Sequence, residues 1–185
     1  AGIDGQNLGA FEANLEVELS CLLLELKEKR YRAQPVRRVA IAKDDGGERL
    51  LGIPTVRDRV VQQALRRIIE PIFEPDFHPS SYGYRPGRSG HHAIGKAELF
   101  IRRYRRDWVV DMDLSKCFDT LNHDLIIRQF RQRITDGSVL SLLRQFLESG
   151  VMVGYHLEET ELGSPQGGVI SPLIANVYLD AFDQF

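Results

Sequence analysis

The strongest constraint on the fold is an apolar run that ends in acidic residues, at 108–119 (WVVDMDLSKCFD). Its first part, 108–114, alternates apolar side chains with Asp111 and Asp113, which predicts a β-strand with both carboxylates on one face. Asp113 comes where this strand gives way to a loop, so we expect its side chain to be accessible. Carboxylates on an otherwise apolar sheet face are unfavourable unless they bind a metal or a cation.

This acidic segment allows two interpretations. Phosphoryl transfer uses two divalent ions about 3.5–4 Å apart, and Mg²⁺ keeps several waters, so one or two carboxylates are enough for each ion. Alternatively, Asp113 or Asp119 only caps the helix that follows, while Asp111 pairs with a nearby arginine. The spacing alone leaves both interpretations open.

A second segment, 163–173 (GSPQGGVISPL), combines turn residues with the start of a helix. Ser171 and Pro172 are typical of an N-cap and a first helical position, so we expect a helix from there to the end of the chain. The glycines allow the backbone to approach a ligand closely. The same pattern is also typical of a tight structural turn.

Charge is distributed unevenly along the chain, although the formal net charge is only −2. Residues 1–29 carry a net −4, residues 30–106 a net +9, and residues 107–185 a net −7. The middle block has the electrostatics of a polyanion binder. Arginine dominates it, and the planar arginine fork suits phosphate better than lysine does. Several of these arginines could equally belong to solvated helix faces.

Length and composition fit one domain, or two small lobes that share a core, because the chain has 185 residues and 43% of them are apolar. No apolar run reaches membrane-spanning length, and the N-terminus lacks the pattern of a secretory signal. Cys21 and Cys117 lie far apart and predict free thiols in a reducing cytosol. We therefore expect a cytoplasmic protein.

Hydrophobic spacing and turn residues predict mostly helices, with two hairpins. Pro71 and the prolines after it predict that the helix beginning at residue 56 ends near residue 70 and that an ordered loop follows. In chain order the predicted elements are a helix over 8–29, a hairpin of 36–43 with 49–53, helices over 56–70 and 89–104, the strand 108–114, helices over 122–133 and 138–149, a hairpin of 151–155 with 157–162, and the final helix.

Six segments of the chain resemble the reverse transcriptases encoded by bacterial group II introns, which are also called maturases, and they occur in the order that is usual in that family. Segment 113–119 is similar to their first catalytic motif, an Asp followed after four residues by an aromatic residue and a second Asp. Ala42 departs from the pattern, since proline is usual there. The resemblance covers nearly the whole chain, through residues 2–5, 31–43, 49–62, 81–89, 113–119 and 163–173.

The resemblance implies an α+β fold with the fingers and a partial palm of a right-hand polymerase, mostly helical, with β-hairpins and a small antiparallel sheet. Residues 1–75 would be the fingers, and residues 76–185 the fingers–palm junction and partial palm. The implied activity is that of an RNA-directed DNA polymerase, which copies RNA into DNA by two-metal nucleotidyl transfer with Mg²⁺ (or Mn²⁺). The implied partners are an intron RNA template, a DNA primer and dNTPs.

The resemblance also carries over to single residues. Asp113 would be the catalytic metal ligand, and the carbonyl of Leu114 a second ligand. Phe118 would pack beneath the sugar of the incoming nucleotide and so favour deoxynucleotides. The other residues implied to bind nucleotide are Lys43, Arg49 and Gln166. Those implied to bind RNA or template are Arg37, Arg38, Tyr82, Arg85, Arg88, Pro165 and Gly167.

Some of these assignments have a structural alternative. Lys43 and Arg49 flank the tip of a hairpin and could be solvated charges. At least one tyrosine of the segment 81–89 is expected to fill the junction between fingers and palm. The arginines of 102–106 either follow RNA phosphates or complement the dipole at the end of a helix.

The family's next motif, Tyr-Ala-Asp-Asp on a hairpin, does not occur in this sequence. We therefore expect a fragment that does not polymerise alone and that self-associates, for example as a homodimer, through an exposed sheet edge and apolar surface. Two other functions stay open at this point. One is an RNA-binding splicing cofactor without polymerase activity, and the other is the reverse transcriptase of another bacterial retroelement.

Overall fold

The computed structural model describes residues 1–42, 46–160, 162–164 and 167–184. Helices and two hairpins form the predicted α+β fold, and none of the described helices has the length and apolar character that a bilayer crossing requires. The elements are α1 (Leu8–Ala13), α2 (Leu15–Lys27), β1 (Val36–Ala42), β2 (Glu48–Ile53), α3 (Val56–Phe73), α4 (Gly90–Arg102), α5 (Cys117–Thr120), α6 (His123–Arg131), α7 (Gly137–Glu148), β3 (Val151–Val153), β4 (His156–Glu158) and α8 (Ser171–Asp183).

The four strands form one sheet in the order β2-β1-β3-β4. β1 and β2 are antiparallel, in a register that pairs Arg37 with Ile53 and Ala42 with Glu48, which confirms the first predicted hairpin. β3 and β4 form the second. β1 and β3 run parallel, because helices and not a tight turn connect them. The sheet is therefore mixed and not wholly antiparallel.

The single helix predicted over 8–29 is divided into α1 and α2 by Asn14. The side-chain amide of Asn14 donates to the Ala10 carbonyl at 3.3 Å. Asparagine offers the backbone such local alternatives to helical hydrogen bonds. The helix is therefore interrupted although the leucine spacing continues across the break.

Helix α3 is longer than predicted and includes Pro71. Proline inside a helix removes a hydrogen bond and costs about 3 kcal/mol. Ile69 and Phe73 flank it and are both buried, and burial of such side chains contributes roughly 1.5–3 kcal/mol each. Tertiary packing, and not local propensity, therefore sets the end of this helix.

The prediction of a strand over 108–114 is wrong for the described chain, because these residues form no β-ladder with any other described residue. A strand needs a neighbour for its backbone hydrogen bonds, and the described strands pair only with one another. Trp108 is 94% exposed and Val110 is 80% exposed. Alternating side chains alone do not create a strand where no partner is present.

The main core lies between α3 and the helices α6, α7 and α8. Phe73 of α3 and Phe130 of α6 meet edge to face, with ring centroids 5.2 Å apart. These two residues lie on opposite sides of the predicted boundary near residue 75, so one core joins both predicted parts. The least exposed side chains of this core are Ile69, Ile126, Phe130, Leu143, Leu147, Ile170 and Ile174.

Candidate functional site

A cleft of about 830 Å³ is bounded by the β1–β2 hairpin and by residues of the segments 113–119 and 162–164. The hairpin and the acidic segment are distant in sequence and are joined here by the fold. Five residues assigned to the site from the sequence line this one cleft: Arg38, Arg49, Asp113, Leu114 and Phe118.

Asp113 is exposed at the cleft. Burial raises the pKa of the neighbouring Cys117 thiol, and the negative charge of Asp113 raises it further. Two further acidic residues, Glu48 and Asp119, line the same cleft. The cleft therefore combines acidic residues with the two arginines Arg38 and Arg49.

A divalent metal fits this cleft in part. Mg²⁺ prefers oxygen ligands and keeps several waters, so a solvent-exposed carboxylate such as that of Asp113 suits it. Leu114, whose carbonyl is the other expected ligand, also lines the cleft. Among the described residues, no three Asp, Glu, His or Cys side chains are grouped so that they could hold a metal ion. The described residues thus offer an accessible carboxylate at the cleft and not a closed metal site.

The loop after residue 162 is bonded directly to the segment that carries Phe118. The amide of Gly163 donates to the Leu121 carbonyl at 2.7 Å, and the amide of Ser164 donates to the Phe118 carbonyl at 2.7 Å. The Ser164 hydroxyl donates to the Ser171 hydroxyl at 2.8 Å. Helix α5 and the first residue of α8 are thereby linked through this loop.

Two glycines let the loop lie this close to its neighbours. Gly163 has a φ of +88°, and a Cβ there would lie 2.8 Å from the Phe118 carbonyl oxygen. Gly167 has a φ of +112°, and a Cβ there would lie 2.6 Å from the Gly52 carbonyl oxygen on β2. The sequence assigned Gly167 to template contact, and the structure places it against the hairpin.

The predicted arginines of β1 and β2 have different surroundings. Arg38 lines the cleft and pairs with Glu158 of β4, Nη1 to Oε2 at 2.7 Å. Arg49 is exposed at the cleft. Arg37 donates from Nε to the Ala1 carbonyl at 3.1 Å. Exposed ion pairs are weak, so an anion in the cleft can compete with Glu158 for Arg38.

The guanidinium of Arg85 is bonded to neighbouring protein groups, which favours a structural role over the template contact that the sequence implied. Its side chain is only 4% exposed and pairs with Glu74 at 2.9 Å. Its Nη1 donates to the carbonyls of His78 and Ser81, each at 2.9 Å, and its guanidinium lies 5.2 Å from the Phe77 ring centroid. The physical reason is that five fixed N–H donors suit the closure of a loop as well as they suit phosphate.

The other predicted template residues of the segment 81–89 remain nearer to solvent. Arg88 lies 5.6 Å from the Tyr82 ring centroid and donates to the Pro79 carbonyl at 2.7 Å. The loop is fixed to α8 because the Asn176 amide donates to the Gly83 carbonyl at 2.9 Å. Neither Tyr82 nor Arg88 is among the described residues that line the cleft, so any role in template binding lies outside it.

Three residues assigned from the sequence, Lys43, Pro165 and Gln166, lie outside the described residues. Their roles stay predictions. Ala42 before Lys43 is the last residue of β1, and Ser164 and Gly167 enclose the other two in the sequence.

Two buried polar residues of α3 are not among the site residues assigned from the sequence. Gln62 is 4% exposed and Asp58 is 2% exposed. Asp58 accepts hydrogen bonds from the Tyr31 hydroxyl and the Gln34 amide, and burial raises its pKa. A signal existed, because both residues lie at helical spacing on the face that buries Leu65 and Ile69.

Known proteins are similar to this chain in sequence and in fold. The profile of one family, described as reverse transcriptase (RNA-dependent DNA polymerase), matches residues 41–185. Protein YkfC of Escherichia coli K12 is 46% identical over 188 residues, which is 100% of this chain. The group II intron-encoded protein LtrA of Lactococcus lactis is 39% identical over 171 residues, 92% of this chain.

These relatives are longer than the chain, which spans 49% of YkfC and 28% of LtrA. Among solved structures, a chain of a partial Cas6-RT-Cas1–Cas2 complex is similar with a TM-score of 0.63 and 25% sequence identity. The similarity covers 97% of this chain and 30% of that chain. The predicted fold class is thereby confirmed.

Proposed function

We propose a function from one premise: the chain belongs to the reverse transcriptase family, in the group encoded by group II introns. The proposed function is to supply the fingers and part of the palm of an RNA-directed DNA polymerase that copies RNA into DNA and binds intron RNA. Residues 1–75 would form the fingers, and residues 76–185 the junction and partial palm.

One observation carries this proposal, namely that Asp113, Phe118 and Arg49 line a single cleft. A nucleoside triphosphate presents three chemical features: anionic phosphates, a sugar, and oxygens that a divalent ion can bridge. Arg49 offers a cation for the phosphates, Phe118 an aromatic ring for the sugar, and Asp113 an oxygen ligand for the divalent ion. A module that only clamps RNA needs the cation but neither of the other two.

In the proposed mechanism each residue has a separate task. Arg49, with Arg38 once it leaves Glu158, neutralises charge on the departing phosphates. The Phe118 ring supports the sugar and excludes a 2′-hydroxyl. Asp113 and the Leu114 carbonyl would hold Mg²⁺ (or Mn²⁺), which when bound supplies Lewis-acid stabilisation of the transferring phosphoryl group. Lys43 and Gln166 are proposed as further nucleotide contacts, and Tyr82, Arg88, Pro165 and Gly167 as template contacts.

A splicing cofactor that binds intron RNA without polymerising is the second candidate. The net charge of +9 over residues 30–106 favours it, because a cationic surface binds structured RNA whether or not synthesis follows. The two functions are compatible in one protein, and they differ in their dependence on the cleft.

Primer extension on an RNA template tests the proposal. The protein expressed from its complete reading frame should incorporate dNTPs in the presence of Mg²⁺ and stop when a chelator is added. The 185-residue chain alone should bind RNA and incorporate none. RNA binding without incorporation by the complete protein would favour the splicing cofactor instead.

Replacing Phe118 by alanine should relax the selection of the sugar. We expect the ratio of ribonucleotide to deoxynucleotide incorporation to rise roughly tenfold or more, because the ring no longer excludes the 2′-hydroxyl. Single-nucleotide extension with each substrate measures this ratio. Phe100→Ala is the matched control, since Phe100 lies on α4 and is not among the described cleft residues. An unchanged ratio in Phe118→Ala would remove the sugar contact from the proposal.

The chain alone should also self-associate through the exposed apolar segment 108–114. Val110 is 80% exposed and Met112 is 73% exposed, and such surfaces associate in water. Light scattering should show dimers or larger species that Val110→Lys shifts towards monomer. Tyr155→Lys, in the β3–β4 turn, is the control that should change nothing. A monomer at all concentrations would contradict this expectation.

A further inference from the structure

Gln62 of α3 holds the end of a loop that is distant from it in sequence. It is buried, and its Oε1 accepts from the Val169 amide at 2.8 Å and from the Ile170 amide at 3.4 Å. These amides lie at the entry to α8, where the N-cap residue Ile170 forms no side-chain cap hydrogen bond. Val169 and Ile170 directly precede the first helical residue, Ser171. Gln62 therefore fixes the backbone at the entry to α8.

The same loop is held at its other end by a second buried residue. Nε2 of His123 lies 2.6 Å from the Gly163 carbonyl oxygen, and His123 is 5% exposed. Between the two ends, Gly167 lies against the Gly52 carbonyl of β2. Side chains from α3 and α6 and the backbone of β2 thus fix the described parts of the loop.

We propose that Gln62 is a positioning residue for nucleotide binding, acting through the loop 163–170. Gln62 is not among the described residues that line the cleft, so its effect must pass through the loop. Gly163 and Ser164 of this loop line the cleft, and Gly167 lies against Gly52, which also lines it. The inference rests on the proposed function, in which this cleft binds the nucleotide. Loss of the Gln62 acceptor releases the end of the loop. Nucleotide binding is then weakened more than the rate of the chemical step.

Three variants separate this role from a purely structural one. Gln62→Leu removes the acceptor and leaves two amides without a partner, whereas Gln62→Glu keeps an oxygen whose charge also complements the start of α8. Gln63→Leu is the matched control on the same helix, because Gln63 lines a different groove, together with Leu8 and Val60.

Steady-state primer extension with the protein expressed from its complete reading frame provides the first test. For Gln62→Leu we expect the KM for dNTP to rise roughly tenfold while kcat changes less than about threefold. Gln62→Glu should restore the KM to within about threefold, and Gln63→Leu should leave it unchanged. A Gln62→Leu protein with a lower Tm but a wild-type KM would overturn the proposal.

Amide hydrogen exchange in the same protein provides a test that does not depend on synthesis. Protection of Val169 and Ile170 should fall roughly tenfold or more in Gln62→Leu, relative to Ala175 within α8. If protection of Val169 and Ile170 is unchanged in Gln62→Leu, Gln62 does not hold the loop, although the proposed function is unaffected. A wild-type protein that makes no DNA overturns the proposed function, and with it the nucleotide role, whatever the exchange result.

Discussion

Asp113→Asn, in the protein expressed from its complete reading frame, should lower template-directed DNA synthesis by roughly 1,000-fold. Asparagine keeps the shape of the side chain and removes its charge. A bound metal supplies several kcal/mol of transition-state stabilisation, and about 4 kcal/mol corresponds to three orders of magnitude in rate. Single-turnover extension with saturating dNTP measures this loss without interference from product release.

The fold should not change, because Asp113 is exposed and contributes nothing to the core. Thermal unfolding should therefore match the wild type, and RNA binding should be retained because a negative charge is removed and no cation is lost. Asp111→Asn is the matched control: it lies two residues away and is not among the described cleft residues. We expect it to keep synthesis within about threefold.

The opposite pattern would refute the metal assignment. If Asp111→Asn abolished synthesis while Asp113→Asn retained it, the acidic segment would present its other carboxylate to the reaction. If both variants were active, the cleft would not hold the catalytic ion through this segment. If the wild type and both variants bound RNA but none of them synthesised DNA, the splicing cofactor would become the better interpretation.

The β1–β2 hairpin that carries Arg38 and Arg49 could be predicted because the rules that form a hairpin are local. A hairpin requires β-prone residues and a turn, and β1 and β2 appear where 36–43 and 49–53 predict them. Helix caps are equally local: Ser89 and Asn122 each accept a bond from the first turn of the helix that follows. Local rules therefore account for the hairpin wall of the cleft and for the starts of α4 and α6.

Features that depend on distant partners could not be predicted from the sequence. The segment 108–114 alternates like a strand, yet pairing depends on a neighbour that the pattern does not specify. Helix α3 continues through Pro71 because Ile69 and Phe73 are buried in the core that other helices form with α3. The helical spacing of α3 indicates that Gln62 is buried, but it does not identify the partners of Gln62, which lie more than 100 residues away. Such contacts follow from tertiary packing, which periodicity does not encode.

Arg85 shows the same limit most clearly, and its replacement is the second large effect that we expect. Arg85→Met should destabilise the fold by about 2–4 kcal/mol, because the change leaves Glu74 and two carbonyls without their donors in a partly buried site. For a chain of this size that corresponds to a fall in Tm of about 5–15 °C. Thermal unfolding followed by circular dichroism measures the change.

Two comparisons distinguish this structural role from the template role that the sequence implied. Arg88→Met, in the same loop, should lower stability by less than about 1 kcal/mol but weaken RNA binding if it is a template contact. A double-mutant cycle of Arg85→Met with Glu74→Gln should show coupling of about 1–3 kcal/mol, because each partner stabilises the other. A Arg85→Met protein with wild-type Tm and weakened RNA binding would restore the template assignment. The contacts favour the structural role, because the Arg85 side chain is 4% exposed and directs its donors to Glu74, His78 and Ser81.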